Sequence, residues 1–242
     1  MSKFYSNLLF SISITAVMSA LDMTYHLATG WAVHLNYVAI KLTVIFLTVW
    51  MITQFIGIGK EEGIVASIFG PLIFYVYYKF ANATLNRDIF KIDEQFWFFF
   101  LHAALMLIAY FAAFNFVKSK RHLTRTACFA VMAIFFAVAL DAMFIMLRWR
   151  LQGIDEETAA RLMAFSVILI PVIAYIVGVI AGVLADNLLK KKYLGILIAA
   201  ALSCLIIILS TKDLLHAVFA FVFVLAAYYV IHGFKKGIAA GA

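Results

Sequence analysis

Apolar residues fill this chain in long runs separated by short polar segments. Crossing a bilayer as a helix takes about 20 mostly apolar residues. Eight stretches reach or approach that length: residues 6–28, 37–57, 63–82, 95–117, 128–147, 163–185, 194–209 and 214–231. The seventh is the shortest. The pattern predicts an all-α fold, a polytopic membrane bundle of eight transmembrane helices.

Two short motifs recur. Leu101-His102-Ala103 returns as Leu215-His216-Ala217, and Ala20-Leu21-Asp22 returns as Ala139-Leu140-Asp141. Each His opens an apolar run that carries an Ala-Ala pair (Ala112-Ala113, Ala226-Ala227) and closes on lysines. A fixed period decides architecture before any local signal does. The expected organisation is one integral membrane domain made by tandem duplication of a four-helix unit, residues 1–122 and 123–242. With four helices each, the copies share one orientation, so an axis along the membrane normal relates them.

Composition agrees. The 242 residues are 67% hydrophobic and 13% charged, with mean hydropathy +1.06. Such a chain must face most side chains toward lipid or one another. The net charge of +7 is not a nucleic-acid signal here, because the cations sit in clusters between apolar runs. Lys3, Lys60, the cluster from Lys118 to Arg125, Lys190-Lys191-Lys192 and Lys235-Lys236 fall on alternate connections. The positive-inside rule makes that side, with both termini, cytoplasmic. The first run is read as a helix of the fold rather than a removable signal, since its Asp22 has a counterpart in the second copy. Cys128 and Cys204 are far apart in apolar runs, which predicts buried inert thiols and no disulfide framework.

Depth follows from orientation. Asp22 and His26, spaced i, i+4, share a face near the outer end of the first helix. Lys41 is about a turn into the second helix, His102 about two turns into the fourth, and Asp141 about two turns from the outer end of the fifth. Arg148 follows on the same face. Asp213 and His216 open the eighth helix, and His34 lies in the first outer loop. The inner half of the membrane carries almost nothing comparable.

Ionisable groups at this depth must be paired, hydrated or metal-bound. The expectation is a single site near the extracytoplasmic face, with Asp22, His26, His102, Asp141 and His216 as ligands. Lys41 and Arg148 would be supporting charge partners, and His34 a further ligand from the loop. Carboxylates and imidazoles suit zinc, iron or copper, acting on or beside a hydrophobic, lipid-borne substrate. Two rivals use the same residues. One is a proton- or cation-coupled transporter or channel; the other is a non-catalytic lipid-binding or accessory subunit. A purely structural arrangement would pair Asp22 with Lys41 and Asp141 with Arg148, and cap the histidines with carbonyls.

The second copy has Ile145 where the first has His26, and no obvious match for Lys41. The aromatic residues read as interfacial belts and lipid-facing bulk. Pro171 predicts a kink, and Gly178 and Gly182 form a small-residue packing surface. Membrane lipids, other membrane subunits or further copies of the chain are the expected partners; nucleic acid is not. The chain has no GxSxG, HExxH, P-loop, GxGxxG or CxxCH motif.

Overall fold

The computed structural model describes residues 3–29, 35–85, 96–154, 169–189 and 193–240, apart from the side chains of 27–29, 35–37, 78, 81–85, 96–97 and 239–240. Eight helices form there: α1 (Lys3–Thr29), α2 (Leu35–Phe55), α3 (Lys60–Leu85), α4 (Phe96–Lys118), α5 (His122–Leu151), α6 (Ile170–Leu189), α7 (Leu194–Thr211) and α8 (Leu214–Ala240). Each expected run overlaps one of them, with residue 95 of the fourth run and residues 163–168 of the sixth lying outside the described residues. All but α3 are long and apolar enough to cross a membrane.

Polarity is inverted relative to a water-soluble domain. Phe55, Phe80, Leu123, Leu188 and Tyr229 are among many exposed large apolar side chains, while Asp22, Lys41 and Asp141 are completely buried. α3 follows the same logic. Its inward face carries Gly63, Ala66, Ser67, Gly70 and Phe74. Its outward face carries Ile64, Val65, Ile68, Phe69, Leu72 and Ile73. Small residues inside and bulky apolar residues outside are what helix association in lipid favours.

α1 and α5 are the central helices, with 67% and 61% of their spans buried against 28–39% for the other spanning helices. Within the first four helices, α1 packs on α2 and α4, and α3 bridges α2 and α4. Within the second four, α5 packs on α6 and α8, and α7 bridges α6 and α8. Between the halves, α1 meets α5 and α8, and α4 meets α5 and α8. Exchanging each helix with the one four places on leaves this packing scheme unchanged.

The tightest seam is α6 on α7. Gly178 and Gly182 face Ala199, Ser203 and the Gly195 carbonyl so closely that a Cβ on either glycine would collide with them. The Asp186 carboxylate accepts the Gly195 N–H at 2.9 Å and locks the end of the seam. Pro171 is the second residue of α6, and the segment needed to test the expected kink lies outside the described residues. Cys128 and Cys204 are free, as expected, but half-buried, because both sit on the outer flanks of their helices. Glu61 and Glu62 lie in the first turn of α3, where negative charge complements the helix dipole.

Candidate functional site

Two buried carboxylates organise the polar interior, one on each central helix. Asp22 lies two turns from the C-terminal end of α1. The Lys41 ammonium, on α2, forms a hydrogen-bonded ion pair with its Oδ2. Lys41 reaches it along a four-carbon stem packed in the bundle, the usual way a lysine places its charge from an apolar position. His102 enters from α4 with Nε2 3.4 Å from Asp22 Oδ1. His26, one turn beyond Asp22, has Nε2 3.7 Å from the same oxygen. The rings of Phe98 and Phe74 flank His102 at 4.3 and 5.8 Å, and Phe98 also meets His26 at 5.9 Å.

The proton positions at His102 follow from its partners. Nδ1 lies 2.8 Å from the Phe98 carbonyl oxygen. A carbonyl only accepts, so Nδ1 carries the hydrogen. Nε2 is then the ring's variable nitrogen, and it faces a carboxylate oxygen. A neutral ring sets a lone pair against that oxygen; a protonated ring sets an N–H against it.

Asp141, on α5, has a different set. His216 Nε2 from α8 is 2.8 Å from its Oδ1, and the Tyr175 hydroxyl from α6 donates to its Oδ2 at 2.9 Å. A contact of 2.8 Å between ring nitrogen and carboxylate oxygen requires a hydrogen between them. The neutral ring supplies that hydrogen when its Nε2 carries the N–H.

The centres correspond part for part. Each takes its carboxylate from the first helix of a half, its imidazole from the fourth and its third partner from the second. That partner is Lys41 in one half and Tyr175 in the other. Tyr175 is thus the counterpart that the chain seemed to lack for Lys41. Nothing in the sequence marked it, since a lone Tyr in an apolar run reads as packing.

Two expectations are corrected. The five residues expected in a single cluster fall into two sets, Asp22 with His26 and His102, and Asp141 with His216, because each carboxylate is claimed by the helices of its own half. Arg148 does not pair with Asp141; it binds Asp213. Asp213 also caps α8, accepting the His216 backbone N–H at 3.1 Å, as an Asp at this position commonly does. Burial raises the Asp213 pKa, but the His216 N–H and the Arg148 guanidinium outweigh it and hold the carboxyl below its usual range. The Asp22–Lys41 pairing and the carbonyl contact at His102 are both present; His216 uses a carboxylate instead. His34 lies outside the described residues.

Among the described residues no group of three or more His, Cys, Asp or Glu side chains is arranged to hold a metal ion. Seven long apolar helices define a multi-pass membrane helical bundle, and each half of it buries an Asp–His pair. No protein family, curated protein or solved structure matches the chain.

Proposed function

We propose that this protein moves protons across the membrane, as a proton channel or proton-coupled carrier, using the two Asp–His centres as stations. The observation that carries this is the His102 geometry. Nδ1 is committed to the Phe98 carbonyl, which leaves Nε2 and Asp22 Oδ1 facing each other as a couple that gains and loses one proton. Chains of Asp and His in a bundle interior are the usual chemistry of membrane proton relays. Lys41 holds the other oxygen of Asp22 in an ion pair, which leaves Oδ1 to face His102. At the second centre Tyr175 and His216 solvate Asp141 and bind the proton it shares.

The metal reading attaches to Asp22, His26 and His102 alone. Two imidazole nitrogens near one carboxylate oxygen favour it. The Lys41 ammonium on the same carboxylate opposes it, because a second cation would meet a fixed positive charge in a poorly screened interior. In that reading zinc, iron or copper would act beside a lipid-borne substrate.

The symmetric packing scheme and the matched centres support descent from a duplicated four-helix unit. The alternating lysines support eight crossings with both termini cytoplasmic and the two centres near the outer face. Fusions of a topology reporter after Lys120 should then read cytoplasmic, and one at Asn86 extracytoplasmic. Membrane lipids contact the outer surface.

The deciding experiment is reconstitution into liposomes with an imposed pH gradient, a potassium shunt and a pH-sensitive dye inside. Wild-type protein should dissipate the gradient, and Asp22→Asn and His102→Ala should each lower the rate at least tenfold. Absence of flux above protein-free liposomes overturns the proposal. Stoichiometric zinc, iron or copper in the purified protein, lost in His102→Ala, would favour the metal reading in its place.

A further inference from the structure

The inner half of the bundle is not featureless. Asn7, Ser11, Thr15, Ser19, Asp22 and His26 recur on α1 at intervals of four, four, four, three and four residues. At 100° per residue they fall within an arc of about 120°. All six side chains are buried. From Asn7 to Asp22 the stripe rises about 22 Å at 1.5 Å per residue, most of the roughly 30 Å of a hydrocarbon core. Its inner end is anchored on α2. The Asn7 amide donates to the Thr53 carbonyl at 3.0 Å and the Gln54 side chain at 3.1 Å, and Ser11 Oγ lies 3.2 Å from Thr53 Oγ1.

A serine or threonine inside a membrane helix ordinarily bonds back to the carbonyl four residues earlier. Ser11 and Ser13 do so, each at 2.8 Å. Thr15 and Ser19 do not. Their hydroxyls are buried with no hydrogen-bond partner among the described residues. They stand in the middle of the stripe, between the Asp22 centre and the Asn7–Thr53 anchor.

The other half of the molecule provides the comparison. Aligning Asp22 with Asp141 sets Ser11, Thr15 and Ser19 against Ala130, Ile134 and Val138 on α5. α5 is packed by the corresponding neighbours and is almost as deeply buried. The same position in the same scheme thus works with apolar residues, so packing does not require the hydroxyls on α1.

We infer that the hydroxyl stripe of α1 is a transmembrane proton path joining the Asp22–His102 couple to the opposite side, and that the second half is closed along the equivalent line. This rests on the proton-moving reading above and adds its route. Hydroxyls four residues apart are about 6 Å apart along the axis, too far for direct bonding, so water must bridge them. Thr15 and Ser19 supply the free donors and acceptors that hold such waters. A proton leaving His102 Nε2 or Asp22 passes along the bridged hydroxyls to the Asn7–Thr53 cluster, each hydroxyl accepting on one side and donating on the other. No bond other than O–H or N–H changes.

The test uses the full chain in the liposome assay with Thr15→Val/Ser19→Ala, shape-conserving changes at hydroxyls without partners. Proton flux should fall at least tenfold, while size-exclusion elution and melting temperature stay as in wild type. Thr15→Ser/Ser19→Thr keeps both hydroxyls and should keep the flux. In-situ hydroxyl-radical labelling gives a readout besides flux. Met18, buried within the same arc, should be oxidised by stripe water in wild type and protected in the double variant. Full flux in Thr15→Val/Ser19→Ala alongside lost flux in Asp22→Asn overturns the path and leaves the function standing. Full flux in Asp22→Asn overturns both. Should the double variant fail to fold, Thr15→Val alone carries the test, with a flux loss again expected and unchanged flux overturning the path.

Discussion

His216 holds its Nε2 2.8 Å from Asp141 Oδ1, tying α8 to α5 across the wall of the second half. The Tyr175 hydroxyl takes the other oxygen of the same carboxylate. Three helices are joined through one side chain that has no exposed surface. Removing one partner of such a group leaves a buried oxygen unsatisfied. His216→Ala should therefore cost about 3 kcal/mol, and Tyr175→Phe about 1.5 kcal/mol. Reversible unfolding in mild detergent measures both. The double variant should cost measurably more or less than the sum, since both residues serve one carboxylate. Strict additivity would mean the three groups do not act together.

Lys41 and Asp22 make the parallel test in the first half. Lys41→Met leaves Asp22 without its ammonium and should destabilise by about 3–5 kcal/mol. Asp22→Asn placed on that background should recover much of the loss, because the uncompensated charge is then gone. A Lys41→Met protein as stable as wild type would show that the ion pair contributes nothing.

Asp213 gives a pH dependence with a definite sign. Its folded carboxyl is held below the usual range by the His216 N–H and Arg148, against the effect of burial. The stability it contributes is fully present above the unfolded carboxylate value near ~3.9. It is lost as pH falls through the lower folded value. The Asp213 side chain is 28% exposed, so the ion-pair part is screened and should stay below about 1 kcal/mol. Asp213→Asn should flatten the acid limb of the melting temperature against pH, leaving the neutral limb nearly parallel to wild type.

Gly182, in the α6–α7 seam, and Gly70, on α3 against α2, differ in what an added Cβ would meet. A Cβ at Gly182 would meet the Gly195 carbonyl, which is backbone and cannot swing aside. A Cβ at Gly70 would meet the tip of Ile45 at 3.2 Å, which can turn. Gly182→Ala should destabilise by about 1–3 kcal/mol, and Gly70→Ala by clearly less. Equal losses in the same unfolding assay would count against the close approach of α6 and α7.

The sequence by itself determined where the helices lie. Run length and composition suffice for that, since a backbone in lipid must satisfy its own hydrogen bonds and a helix does so locally. The repeated Leu-His-Ala and Ala-Leu-Asp motifs also pointed to the residues that matter, because a charge inside an apolar run stands out. Tertiary structure alone decided the pairings. Whether Arg148 turns to Asp141 or Asp213 depends on how α5 and α8 meet, and spacing along one helix does not encode that. Tyr175 became a partner of Asp141 only through the packing of α6 on α5. The hydroxyls of Thr15 and Ser19 were visible as letters, but most hydroxyls in membrane helices bond to their own backbone. Spacing along α1 put these two in line with Asp22, but only the folded bundle left them buried without that bond.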